Sequence, residues 1–269
     1  MMANKATAKT QPTYTKPAPN KVNVKLIDHS GRYVVGPARR PNIIHDNGFL
    51  DKFSLREPTV TERLSYAEWR AKASAGSAVG RYWNEKKKEW IYAYDAILAY
   101  KHWLEGSGTS RSINYKSFLA DDESGRHCLR YMLDDFKQQA EVIGENRTRF
   151  SITSNPYLIG GRDNNLPYPT TENWQKAIGA HPVWVSGTVE ITYDKNLRAD
   201  VYRAHITLHI EDRYNFNPGM KDIGTGKPDS DNGVFEITGL AKQYLNLATE
   251  TFNITWSEQR HENPFGALK

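Results

Sequence analysis

The chain has 269 residues, of which 38% are apolar, 12% aromatic and 25% charged, a balance that folds around one large core or two modest ones and excludes a disordered polymer. Its single cysteine, Cys128, rules out an intrachain disulfide and fits folding in a reducing compartment. The net charge of +5 is uneven, with 25 basic against 17 acidic side chains in residues 1–150 and 11 against 14 in the remainder. A basic half can meet an anionic surface or simply be a solvated lysine-rich face. No basic stripe interleaved with aromatics marks a nucleic-acid interface. No run approaches about 18 apolar residues, so no transmembrane segment is expected. Met1–Asn20 lacks the apolar stretch of a secretory signal, so synthesis in the cytoplasm and export by another route are expected.

Along the chain, residues 1–20 lack periodicity and read as a disordered lead-in. Val22–Ile27 and Arg32–Val35 suit a short hairpin, and the Pro-punctuated stretch to Pro58 reads as irregular. Thr61 and Glu62 open a helix through Leu64, Tyr66 and Trp69, followed by an Ala/Ser/Gly loop or hinge from Ala71 to Gly80. A second helix is predicted from Trp90 to Leu104, ended by Gly106, with Lys86–Lys88 on a solvated helix face. A third follows a cap at Asp121 or Asp122, with Leu129, Leu133, Phe136, Ala140 and Ile143 on one stripe and Gly144 as its stop. Cys128 beside that stripe reads as a small buried residue.

After about Phe150 the apolar period changes from 3.6 to two. Arg149–Thr153 is a strand candidate, and Val183–Tyr193, a turn at Asp194–Asn196 and Asp200–Tyr214 read as an antiparallel hairpin. Val234–Ile237 and Thr249–Trp256 are further strand candidates, with a short helix between Leu240 and Leu247. The expected fold is therefore α+β, with a disordered lead-in over 1–20, a mainly helical region over 21–148 that serves delivery or positioning, and a β-rich activity domain over 149–269 built on an open or half-barrel-like antiparallel sheet.

Strand parity sorts the candidate chemistry. His205 and His209 share a face of the second hairpin strand, but side chains four apart on a strand lie roughly 13 Å apart, too far for two ligands of one zinc. His209 and Glu211 are near enough for an acid/base couple. On the other parity, Ile206, Leu208 and Ile210 run into Asp212 and Tyr214, so an apolar face ends in a carboxylate and a phenol. Such a carboxylate has a raised pKa, holds a metal or a water, or caps the next turn. The following loop is dense in Asn, Asp and Gly from Asn215 through Asp222 to Gly233, the composition of an ordered surface loop or of a site on a rigid scaffold. Its Asp229–Gly233 run has the wrong spacing for a calcium loop. Trp174, Trp184 and Trp256 either line a groove or fill the core. Serine-hydrolase elbows, zincin, redox CxxC and phosphate-loop motifs are all absent.

The run Gly187-Thr188-Val189-Glu190-Ile191-Thr192, a turn, a returning strand and Asp212-Arg213-Tyr214-Asn215-Phe216-Asn217 together resemble the activity domain of colicin M-like bacteriocins, over about residues 150–220. That family carries Asp-x-Tyr-Asp-Phe-Asn at the strand end and hydrolyses lipid II, with magnesium, between lipid and pyrophosphate in the target periplasm. The resemblance implies catalytic roles for Asp212 and Tyr214, with Asn215 at the motif's second aspartate, Asp222, or His209 with Glu211, as the substitute proton-transfer group, and Mg2+ as cofactor. The family's following His-Arg pair is replaced by Met220-Lys221-Asp222. The loop also resembles cargo of contact-dependent delivery such as type VI secretion effectors, implying a secretion apparatus and a cognate immunity protein as partners. The leading expectation is an interbacterial toxin acting on a lipid-linked substrate or the target membrane. Membrane-damaging pore formation and a non-enzymatic binding module on the same scaffold are the alternatives.

Overall fold

The computed structural model describes residues 31–257. The predicted lead-in over 1–20 and the strand at Val22–Ile27 lie outside the described residues. In chain order the elements are β1 (Tyr33–Val35), a 3-10 turn (Phe49–Asp51), α1 (Val60–Val79), β2 (Arg81–Asn84), β3 (Glu89–Tyr92), α2 (Tyr94–Glu105), β4 (Arg111–Ser112), α3 (Tyr115–Asp121), α4 (Glu123–Gly144), β5 (Arg149–Ser154), β6 (Tyr157–Ile159), α5 (Glu172–Ala177), β7 (His181–Asp194), β8 (Ala199–Tyr214), α6 (Ser230–Ile237) and β9 (Tyr244–Ser257). The architecture is the expected α+β, with a mostly antiparallel sheet that does not close into a barrel.

The sheet runs β1-β5-β7-β8-β9-β4, and β6 pairs with the start of β7. Its spine is the long β7–β8–β9 meander, in register from Val183↔Ile210 to Asp194↔Ala199 and from Val201↔Ser257 to Tyr214↔Tyr244. Strict alternation sends Val183, Val185, Val189, Ala204, Ile206, Leu208 and Ile210 to the face covered by helices. The stripe of α4 (Cys128, Met132, Phe136, Ala140) packs there with Phe118 of α3 and Trp174 of α5. Gly187 lets this layer close, because a Cβ there would stand 2.6 Å from the Phe136 ring. The short strands β1 and β4 lie N-terminal to residue 149 yet belong to the same sheet, and residues from both sides of that boundary share one core. A smaller cluster of Ala73, Trp103, Leu104, Phe235, Ala241 and Tyr244 sits at the far end of β8.

Five sequence expectations are corrected. Ala71–Gly80 is not a loop: α1 is capped by Thr59 and Glu62 and runs unbroken to Gly80, which ends it with φ +67°, because its alanines are the strongest helix formers and one internal glycine costs only about 1 kcal/mol. The second helix begins at Tyr94, since Trp90–Tyr92 form β3 of a two-stranded hairpin with β2. Lys86–Lys88 therefore lie on its turn and not on a helix. Asn84 Oδ1 accepts from the amides of Lys86 and Lys87 at 3.0 Å each, and Lys88 closes the turn at φ 55°. Val234–Ile237 is the end of helix α6 and the segment after Leu240 leads into strand, the reverse of the expected order; a short apolar run does not by itself separate the two. Gly144 is the last residue of α4 and not its cap, with Glu145 still in the right-handed region. The helix starts as expected, on Asp122.

Candidate active site at the end of β8

Period-two alternation carries β8 past its apolar run, so Asp212 and Tyr214 emerge on the helix-covered face where the main core ends. Strand pairing sets Asn246 of β9 opposite Asp212 and Tyr244 opposite Tyr214. Asn246 Nδ2 donates to Asp212 Oδ2 at 3.0 Å and to the Ala177 carbonyl at 3.2 Å, while Arg111 donates to Asn246 Oδ1 at 3.3 Å. Asp212 is only 6% exposed. Burial pushes its pKa up to about 8 against the Asn246 bond, and the Asp46 charge adds to the rise. At neutral pH this carboxyl mostly keeps its proton. Tyr214 stacks on Tyr244 with ring centroids 5.2 Å apart. Burial holds its hydroxyl well above the ordinary phenol range, with Tyr244 and Tyr100 adding to the effect, so it is a hydrogen-bond donor and not a phenolate.

A strap formed by residues 38–53 crosses the end of β8. Arg40 grips Glu211 with Nε at 2.7 Å and Nη2 at 2.6 Å, and His45 Nε2 lies 3.0 Å from the same carboxylate. The Arg40 bonds hold Glu211 below the usual carboxylate range against its burial. The suggested couple of His209 with Glu211 is therefore not formed. His209 instead meets Ser186 Oγ at 2.8 Å and stacks on Trp184, while His205 bonds Asn253, so the two histidines share no ligand. Asp46 in the strap accepts from Asn217 Nδ2. With the Asn215 amide oriented to satisfy its neighbours, Nδ2 donates to Asp46 Oδ1 at 3.1 Å and Oδ1 accepts from the Gly48 amide at 3.2 Å. Arg213 reaches the Asp51 carboxylate at 3.0 Å.

The loop after Phe216 is tied down from within. Asp229 accepts from the Asn217 amide at 3.0 Å, and burial raises its pKa. Asp222 receives the amide and hydroxyl of Thr225 and pairs with Lys176 of α5 at 3.4 Å. Lys176 also contacts Glu172, at 2.9 Å, and the Tyr82 hydroxyl of β2, so the loop, α5 and the hairpin form one polar chain. Glu236 on α6 is 1% exposed and accepts from Trp103 Nε1 (3.0 Å), the Phe216 amide (3.2 Å) and Gln243 Nε2 (2.8 Å). Burial raises it to about 7 against these bonds.

Of the four residues singled out in sequence, Asp212, Tyr214 and Asn215 sit together on the strand end, whereas the side-chain partners of Asp222 lie on α5 and its own turn. Asp46 and Asn246 carried no local signal. Trp174 is core, Trp184 is stacked and buried, and Trp256 stacks on Tyr202 and bonds Glu141, so the three line no common groove. Cys128 is buried, which pushes its thiol up to about 12, as befits an inert core residue.

Among the described residues no three His, Cys, Asp or Glu side chains converge as a cation site. Among them, too, no helix is long and apolar enough to cross a membrane.

No protein-family profile matches the chain, and no curated protein matches it significantly in sequence. Among solved structures it is loosely similar to PaeM, a colicin M-like bacteriocin produced by Pseudomonas aeruginosa, with TM-score 0.40 and 13% identity over 66% of this chain. The match spans 56% of that structure's length.

Proposed function

We propose that this protein is an interbacterial toxin that acts at the envelope of its target by hydrolysing a phosphoester in a lipid-linked peptidoglycan precursor. One observation carries the reading: the Asp-x-Tyr run that resembles the bacteriocin motif places its aspartate where burial raises the carboxyl to about 8. A proton held at neutral pH suits the departing oxygen of a phosphoester, which must take one up as its bond breaks. Tyr214, with its hydroxyl protonated, is a hydrogen-bond donor for a substrate oxygen. Asp46, exposed and held by the Asn217 side-chain Nδ2, is placed to take the proton that an attacking water gives up in this reading. Delivery by a secretion apparatus and protection of the producer by an immunity protein belong to the same proposal.

The test expresses the full chain in a susceptible bacterium with and without a periplasmic signal, as wild type, Asp212→Asn and Asp46→Asn. Lysis from the periplasm alone, lost in Asp212→Asn, is expected, with release of the precursor's head group in an assay on purified substrate. Lysis that persists in Asp212→Asn removes the catalytic claim. No lysis from either compartment removes the toxin claim.

A further inference from the structure

The hairpin of β2 and β3 stands apart from the main sheet and pairs Arg81↔Tyr92, Trp83↔Trp90 and Asn84↔Glu89. Alternation gives it two unlike faces. Tyr82 and Asn84 turn inward, where Glu172 receives both the Tyr82 hydroxyl and Asn84 Nδ2. Trp83, Trp90 and Tyr92 turn outward, 41%, 56% and 68% exposed, and among the described residues no element covers them. Three large aromatic side chains on one small exposed face are an unpartnered surface of the kind that marks an interaction site.

The chemistry at its rim identifies the occupant. Four cations, Arg81 and Lys86–Lys88, stand against two carboxylates, Glu85 and Glu89, in this short segment, and although Lys87 pairs inward with Glu172 and Lys88 with Glu85, positive charge remains in excess at the turn. Indole and phenol rings with a lysine turn beside them match the polar–apolar boundary of a bilayer, where amphipathic rings settle at headgroup depth and lysines meet anionic lipid. A glycan fits less well. Sugar stacking needs a flat ring face, but Trp83 and Trp90 meet edge to face at 67° and the Arg81 guanidinium covers Trp90 at 5.2 Å.

We infer that the outer face of the β2–β3 hairpin docks the protein on the surface of an anionic lipid bilayer. Its inner face is joined to the loop behind Asp212, because Lys87 and Lys176 both pair with Glu172, and Lys176 also pairs with Asp222. Gly224 of that loop lies so close to Glu172 that a Cβ would stand 1.8 Å from its Oε1. The hairpin is thus tied through α5 to the loop that follows β8, the strand that carries the candidate site. This deepens the proposed action on a lipid-linked substrate and rests on it for its purpose, though not for the binding itself.

The test is flotation of the full chain with vesicles of phosphatidylglycerol and phosphatidylethanolamine, and with vesicles of phosphatidylcholine alone. We expect binding to the anionic vesicles that weakens at high salt. The pair Trp83→Ser/Trp90→Ser should bind about tenfold more weakly while still melting cooperatively, because the rings are exposed and lose chiefly their mutual contact and that with Arg81. Lys86→Gln/Lys88→Gln should lose up to about 25-fold, each interfacial lysine being worth about a fivefold change. Asp212→Asn should bind as wild type. Failure of the wild type to bind anionic vesicles overturns the inference, as does undiminished binding by both hairpin variants. Equal binding to both vesicle types overturns the role given to the lysines. None of these results depends on whether the protein lyses cells, so failure of the toxin reading is distinguishable.

Discussion

Replacing Asp212 with asparagine separates the site's chemistry from its stability, and the sign follows from proton linkage. The folded carboxyl titrates near about 8, against about 3.9 for an unfolded aspartate. Between those values the folded chain keeps a proton that the unfolded chain gives up, so the native state binds more protons and stability falls as pH rises across the window. Below it the effect vanishes, and above it the loss is complete. At about 1.4 kcal/mol per pH unit, Asp212 lowers stability by roughly 4 kcal/mol near neutral pH, before relaxation of the site reduces it. An asparagine in its place has no charge to desolvate, and its oxygen can still accept from Asn246. Asp212→Asn should therefore match the wild type in urea denaturation at about pH 4 and gain on it progressively toward about pH 8. Near pH 7 the melting temperature should rise by up to roughly 10 °C for a chain of this size. Parallel stability profiles, or an asparagine variant that loses stability at neutral pH, would refute the burial argument.

Other contacts give equally direct tests. Asp122 caps α4 through the Ser124 amide at 2.9 Å and also holds the Thr171 amide at 2.8 Å, together with the hydroxyls of Ser124, Thr170 and Thr171. Asp122→Ala should cost about 3 kcal/mol in urea denaturation, with Asp122→Asn recovering part of it. A Cβ on Gly233 would stand 2.2 Å from the Phe49 ring, so Gly233→Ala should loosen the strap from α6 at a cost of about 2 kcal/mol and speed proteolysis near residue 50. Arg40→Ala should cost about 1–2 kcal/mol near neutral pH. Because Glu211 is held below its ordinary value, the wild-type advantage should be present above the unfolded glutamate pKa and disappear as pH falls through the folded one. A cost that persists in acid would assign the role of Arg40 to packing.

The fold was legible where period and length agree. The apolar stripe of α4 with its cap and the alternation through β7 and β8 could be placed from sequence because each spans many residues with a single period. The segments at 71–80, 90–92 and 234–237 were misread because short Ala/Ser or aromatic-aliphatic runs suit more than one state until tertiary packing selects. Parity on β8 likewise exposed Asp212 and Tyr214, since a strand that ends an apolar face with a carboxylate is visible locally. Their partners were not visible. Asn246 arrives through strand pairing 34 residues away, and Asp46 bonds a residue 171 positions along the chain.

That long-range contact bears on one of the motif's departures. The resemblance expects an aspartate where Asn215 stands, yet a carboxylate is present beside it, supplied by the strap. Asp46 takes bonds from Asn217 and, at 3.1 Å, from Asn215. Both neighbours are amides, and amides can donate to a carboxylate where aspartates would repel it. Two carboxylates in hydrogen-bond contact cannot both stay charged without cost, between about 1 and 4 kcal/mol depending on how much water reaches them. Asn215→Asp should therefore destabilise the protein in urea near neutral pH and lift the strap, seen as faster cleavage between residues 40 and 53. Adding Asp46→Asn should restore stability, because the exchanged pair keeps one carboxylate and one amide donor. If position 46 does supply the site's second carboxylate, the exchanged protein should also retain more lytic activity than either single variant. A neutral Asn215→Asp, or a double variant whose costs simply add, would show that the two positions are not coupled and that Asp46 does not stand in for the motif residue.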